Sequence, residues 1–291
     1  SSGYTTIYLQ TGYVRNTGLE LSLGYGHTWN NNFRWDSNFT LSHNKNKIKE
    51  LVRDYVHPET GELINKDRLD VGGLGKARFI LKEGGTLGDL YTQSDLKRDD
   101  NGMVDIDPTG IVAIENNLPD IKLGSVFPKA NLAWSNHFSW KGISLSALFT
   151  ARIGGIVYSA TEAAMDQYGV SERSALARDN GGVLVNNRTL VDAQNYYTTI
   201  GSESGLPQYY TYNATNVRLQ EASIGYLIPR KWLGNVCDIQ VSVIGRNLWM
   251  IYNKAPFDPE SVATTDNYYQ GIDYFMLPST RNIGFNVKIN F

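Results

Sequence analysis

The stretch RNIGFNVKINF, residues 281–291, decides how the rest of the chain is read. Ile283, Phe285, Val287, Ile289 and Phe291 fall on one parity, and Asn282, Gly284, Asn286, Lys288 and Asn290 on the other. Successive side chains of a strand point to opposite faces, so this strict period of two predicts a strand with one apolar and one polar side. A soluble sheet with one face on a core and a membrane barrel wall both satisfy the pattern.

Working back from that strand, the same alternation recurs. Leu19, Leu21, Leu23 and Tyr25 oppose Glu20, Ser22, Gly24 and Gly26, and Phe33, Trp35, Phe39 and Leu41 oppose Arg34, Asp36, Asn38 and Thr40. Leu132, Trp134, Phe138 and Trp140 alternate with Asn131, Ser135, His137 and Ser139, and Ile143, Leu145, Phe149 and Ile153 with Ser144, Ser146, Thr150 and Arg152. These segments read as hairpins. Around Glu221 the parity slips between Val217 and Leu219 on one register and Ala222, Ile224 and Tyr226 on the next, which predicts a β-bulge. Ile239, Val241 and Val243 begin a further strand.

Connection lengths test the membrane reading independently, because outer-membrane barrels alternate short periplasmic turns with long extracellular loops. Short turns are read at 30–32, 84–86, 141–142 and 230–235, and long polar segments at 46–71, 96–126, 157–210 and 253–278. The expectation is an all-β chain of about nine antiparallel strands with its C-terminus on the short-turn side. So few strands cannot close a wide barrel, and open edges are not tolerated in lipid, so further strands are expected to complete the wall.

Bulk properties agree. The chain has 291 residues, a net charge of −2, 18 tyrosines and 28 glycines, a composition suited to pleated surfaces and tight reversals. Near-neutral charge without a long basic run argues against nucleic acid as a partner. No apolar run reaches the length of a spanning helix, and a barrel wall hides its membrane character from averages because its two faces cancel. Ser1 opens the chain with neither a start methionine nor a leader, so it reads as mature, trimmed or a fragment.

Three groups of residues then carry a resemblance. NTGLELSL followed by FRWDSNFTLSHNKNKIKEL, the ordered run YNATNVRLQEASIGYLIP, GRNLWMIY and FDPE between Tyr212 and Glu260, and the ending LPSTRNIGFNVKINF together resemble the C-terminal part of SusC/RagA-type TonB-linked outer-membrane transporters. The likeness covers most of the chain and is weakest from Tyr158 to Pro207. It departs from the family pattern at Val217 and between Asn253 and Phe257, which blurs the subfamily. The resemblance implies a partial transmembrane barrel, a C-terminal share of a 22-stranded wall spanning residues 1–291. It also implies TonB-dependent import of oligosaccharides or oligopeptides across the outer membrane, with a SusD-like surface lipoprotein as partner. The plug domain and TonB-contacting segment are N-terminal in such proteins and are expected to lie outside this chain, as are the remaining barrel strands. Outer-membrane lipid is the surrounding partner, and no cofactor is implied.

The sequence carries no complete catalytic signature. His27, His43, His57 and His137 have no ligand-like spacing to one another or to Cys237, and no H-E-x-x-H helix or G-x-S-x-G elbow occurs. GGLGKAR at 72–78 lacks the phosphate-loop spacing. Asp99, Asn101, Asp105 and Asp107 surround a glycine turn with oxygen ligands, so a calcium loop is one reading and a solvated turn the plainer one. Asp258 and Glu260 form a carboxylate pair of glycosidase type, but beside Pro259 they read better as loop-fixing residues. The chain is not expected to be an enzyme.

Arg152, Arg218, Arg246 and Arg281 are assigned to the lumen, where charge beside water is tolerated. Tyr209, Tyr210 and Tyr212, with Tyr158, Tyr268 and Tyr269, are candidates to stack on sugar rings or peptide side chains at the mouth, or to belong to an interfacial girdle. The competing fold is a secreted β-sandwich, a carbohydrate-binding or adhesin module, which predicts apolar sheet faces packed against each other.

Overall fold

A computed structural model of the chain describes residues 12–57, 60–202, 205–265 and 269–291. Seven strands form one antiparallel sheet: β1 (Tyr13–Thr28), β2 (Arg34–Glu50), β3 (Ala130–Trp140), β4 (Ile143–Ile153), β5 (Asn216–Ile228), β6 (Asp238–Asn253) and β7 (Asn282–Asn290). Their spatial order equals their sequence order, the up-and-down arrangement of a barrel wall.

The short connections follow from local chemistry. Between β3 and β4 only Lys141 and Gly142 turn the chain, both at positive φ (47° and 88°), the backbone twist a two-residue hairpin requires. Gly234 and Asn235, also left-handed, close the β5–β6 turn after a single 3₁₀ turn, Arg230–Leu233. The anticipated bulge is present: Leu148 pairs with Glu221 and Phe149 with Leu219, leaving Gln220 as the extra residue.

Register converts each parity into a cross-strand row. Leu21, Leu41, Leu132, Ala151, Val217 and Tyr252 align on one face, and so do Leu23, Phe39, Trp134, Phe149, Leu219 and Trp249. This apolar face is uncovered: Leu23 is 57% and Phe285 82% exposed. A sandwich requires a second sheet over it, and none packs there among the described residues, so the β-sandwich alternative is set aside. One row on the apolar face carries polar side chains, and their polar groups are tied locally. Trp35 Nε1 donates to Asn136 Oδ1 at 3.1 Å and Trp134 Nε1 donates to Ser37 Oγ at 3.0 Å. The two indoles thereby flank the paired Ser37 and Asn136.

Among the described residues the wall has seven strands rather than the nine or so expected. The turn at 84–86 does not lie at the short-turn end. It joins the strand Ala77–Lys82 to Asp89–Thr92 within a four-stranded sheet completed by Ile121–Ser125 and Arg68–Leu74, outside the wall. Gly84 and Gly85 dock on the far end of β2, where Ile48 N donates to Gly85 O and Gly84 N to Ile48 O, both at 2.8 Å. A glycine turn looks alike in either place; only its ladder partners distinguish them.

The three long connections, 51–129, 154–215 and 254–281, fold together as a cap that holds the main hydrophobic core. Phe79, Leu90 and Val126 from the first meet Ile200, Leu206 and Tyr210 from the second and Ile272 from the third. The second connection supplies helices α1 (Ala160–Gln167), α2 (Glu172–Asp179) and α3 (Ala193–Gly201). Their first turns are capped by Ser159, Ser171 and Asp192, whose side chains accept the amides of Glu162, Ser174 and Asn195. Asn186 staples two connections, accepting from Val104 N at 2.8 Å and donating to Val104 O at 2.9 Å.

Candidate functional site: the inner face and its rim

The polar parity of the wall forms the inner face. Two rows run across it, Glu20–Ser42–Asn131–Arg152–Asn216 and Ser22–Thr40–Ala133–Thr150–Arg218. Up to Arg152 and Thr150 these rows line a trough of about 710 Å³, with Gln220 and Glu260 on its border. Its polar groups are hydroxyls and amides, with one guanidinium and two carboxylates, so the surface offers both hydrogen-bond donors and acceptors to a polar solute. A smaller hollow of about 330 Å³ follows toward the short turns, lined among others by Asp36, His137, Ser146 and Glu221. There His137 Nδ1 and Ser146 Oγ lie 2.8 Å apart.

Arg152 lies at the cap end of the trough. One terminal nitrogen donates to Val126 O at 2.7 Å, while its Nε is buried and has no hydrogen-bond partner among the described residues. Arg218, next to it on β5, is fully engaged. It is almost entirely buried and meets Asp258 at 2.9 Å and Glu260 at 3.2 Å, while its Nε donates to Asn216 Oδ1 at 3.2 Å. Partial burial opposes ionisation of Asp258, but Arg218, the Ser279 hydroxyl and the Glu260 amide outweigh it and hold the carboxyl below its usual range. The carboxylate pair weighed as glycosidase-like therefore serves as the counter-charge of Arg218 and ties the third connection to the rim.

Of the other predicted arginines, Arg246 faces inward and donates to Glu221 at 2.8 Å across the bulge. Arg281 is exposed in the coil leading into β7 and is not brought to the trough.

The tyrosines belong to the cap. Tyr210 is fully buried and its hydroxyl donates to Asp166 Oδ2 at 2.9 Å; burial and that carboxylate push its pKa far up. A ring so enclosed is not available to stack on a solute. Tyr209 is half-buried against the main core, and Tyr212 packs edge-on to Phe257 with centroids 5.7 Å apart. Tyr158 is buried and its pKa is pushed up to about 12 by burial. Tyr269 sets its ring edge toward Phe79, and Tyr268 lies outside the described residues.

The acidic segment folds as two successive turns. Asp99 Oδ1 accepts the amides of Asn101 and Met103, and Asp107 Oδ1 accepts those of Thr109 and Ile111, so both carboxylates cap their own backbone. Asp105 is paired with Lys97 at 2.8 Å. Among the described residues no group of three His, Cys, Asp or Glu side chains is placed to hold a metal, and Asp99 and Asp107 are engaged by their own turns.

Sequence reasoning missed the groups that hold the cap. Asp166 gathers Ser171, Tyr210 and Arg173, the last at 2.7 Å, from α2 and the segment after α3. Asp120, nearly enclosed, accepts from Arg68, Lys82 and Gln93, and these donors hold its carboxyl well below the usual range. Neither lies in a motif, and their partners are far apart in sequence, so nothing local signals them.

No family model matches the chain. Over 320 residues it is 25% identical to the TonB-dependent receptor P3 of Formosa agariphila, covering 99% of the chain and 30% of that relative. TonB-dependent receptor P26 of the same organism is 24% identical, covering 100% of the chain and 30% of the relative. Among solved structures, the RagAB peptide importer in its closed-closed state superposes with a TM-score of 0.68 at 18% identity, covering 100% of this chain and 31% of that one. The RagAB peptide transporter superposes with a TM-score of 0.67. The chain thus spans less than a third of the length of the relatives it matches, and these are receptors and importers rather than enzymes. In sequence the chain is similar to about a third of the length of TonB-dependent receptors, and in fold to a comparable share of the RagAB importer.

Proposed function

We propose that the chain is a wall-and-cap portion of a receptor that imports oligosaccharides or oligopeptides across the outer membrane, energised through TonB and working with a SusD-like lipoprotein at its mouth. The observation that carries this reading is the division of one sheet into an uncovered apolar face and a face with a polar trough, topped on the long-loop side only. An apolar face without a protein cover suits hydrocarbon, and a trough of hydroxyls, amides and paired charges suits a polar, extended solute in water. The plug, the TonB-contacting segment and the remaining strands belong, in this reading, to parts of the receptor beyond residues 1–291.

Arg152 supplies the guanidinium that lines the trough, so it is the wall residue proposed to meet solute or plug. Arg218 and Arg246 are proposed to shape the wall through their ion pairs. The name of the RagAB structures favours peptides, while the hydroxyl-lined trough accommodates sugars equally well.

Uptake of labelled oligopeptides and oligosaccharides by cells carrying the full receptor, with the proton gradient intact or collapsed, tests the reading. Gradient-dependent uptake of one class supports it; unchanged uptake after deletion of the receptor gene overturns it.

A further inference from the structure

Large apolar side chains on the wall have lipid to cover them, but those on the cap stand where water would be. On the cap the run Tyr274, Phe275, Met276 and Leu277 exposes four consecutive large apolar side chains, Leu277 at 87%. It forms a patch, since Tyr274 and Phe275 share the wall of a cleft of about 610 Å³ with Tyr168, over a floor of small residues, Ala160, Ala163 and Gly201. Contiguous exposed apolar surface of this kind marks a contact with further polypeptide.

The run is held in place. Phe275 adopts a left-handed backbone (φ 50°), uncommon for a bulky residue, and its amide donates to Thr161 Oγ1 at 2.6 Å. Its ring meets Tyr274 edge-on at 5.2 Å. On the other side Ser279 is bonded to Asp258, and Thr280 O accepts from Asn247 at 3.2 Å. Met276, Leu277 and Pro278 therefore bow outward between two fixed points. A strained aromatic held at both flanks is a fixed feature that points to a role.

The position of the run indicates what covers it. It leads directly into β7, which pairs with β6 alone, so its other edge has no partner among the described residues. An open strand edge in lipid requires a further strand, and the relatives are more than three times as long as the part this chain matches. The strand that pairs with the free edge of β7 must emerge on the long-loop side beside residues 274–278.

We propose that the apolar run Tyr274–Leu277 and the adjoining cleft at Tyr168 receive the extracellular loop of the barrel strand that pairs with the free edge of β7, so that the cap closes across the seam of the barrel. This rests on the barrel reading above. The occupant is a part of the same receptor outside residues 1–291, rather than the surface lipoprotein or the solute.

The test uses the full receptor in its own outer membrane, with a photoactivatable phenylalanine analogue replacing Leu277 and, as control, Leu184, an exposed leucine on another part of the cap. The folded barrel is first scored by its heat-dependent shift in gel mobility. Failure there sinks the barrel reading and this inference with it. Given a folded barrel, the expected result is an internal cross-link from position 277 to a peptide outside residues 1–291, several-fold more abundant than from position 184, and reduced several-fold by Phe275→Ser. A link to a separate polypeptide, a link only to residues within 1–291, or none overturns the inference while leaving the barrel intact.

Discussion

The Arg218 guanidinium meets both carboxylate oxygens of Asp258, at 2.9 and 3.4 Å, forty residues apart in the chain and nearly sealed from solvent. The pair joins wall to cap: Arg218 stands on β5, Asp258 on the third long connection, and Ser279 bonds to the same carboxylate. A buried pair gains little over an apolar replacement, but breaking it by removing one partner is costly. Arg218→Ala should destabilise the folded receptor by about 3–5 kcal/mol, whereas Arg218→Met with Asp258→Leu should lose much less. Protease cleavage within 254–281 of membrane-embedded receptor checks this, and equal cleavage of single and double variants would contradict it.

The two faces of β7 provide a sharper comparison because adjacent residues differ only in parity. Phe285→Arg, on the apolar face, should cost about 2–4 kcal/mol if the residue sits near the bilayer midplane and should reduce the folded fraction in the outer membrane. Asn286→Arg, on the polar face, should leave that fraction close to the parent's. Equal loss in both would mean that the apolar face does not meet lipid.

Asp120 sets the acid response of the cap. Its three donors depress its pKa in the folded state, so its contribution is fully present above the unfolded carboxylate value and is lost as pH falls through the folded one. Cap stability should therefore decline below about pH 4. Asp120→Asn should remove about 1.5–3 kcal/mol at neutral pH and flatten that decline, as read by hydrogen exchange of the strand Ala77–Lys82. An unchanged acid profile in the variant would refute the assignment.

Alkali should act in the opposite sense. Burial pushes Tyr158 and Tyr196 up to about 12, and burial with the Asp89 carboxylate does the same for Tyr91. Each group's folded pKa exceeds its unfolded value near 10, so the stability it contributes is intact below about pH 10 and lost as pH rises toward 12. Ultraviolet titration should show a late tyrosinate step coinciding with loss of cap structure. Ionisation of all tyrosines near pH 10 with the cap intact would count against this packing.

The wall was legible in the sequence because its signal is local. Alternation such as that of Ile283 to Phe291 states both that a strand forms and which face is apolar, and short turns such as Lys141–Gly142 state that neighbours pair in order. Even the bulge at Glu221 shows as a slip in parity. The sequence did not separate the turn at Gly84–Gly85 from a wall turn, since glycine reversals read alike wherever they lie.

What only the tertiary structure decided is the cap and the roles of the site residues. Phe79, Val126, Tyr210 and Ile272 come from three connections, and no periodicity within any of them announces a shared core. The same holds for charge. That Arg152 lines the trough while Arg218 is consumed by Asp258 and Glu260 depends on partners brought from distant residues. Strand parity is a property of the backbone repeat and is written residue by residue; burial and ion pairing belong to the folded assembly and exist only once distant segments meet.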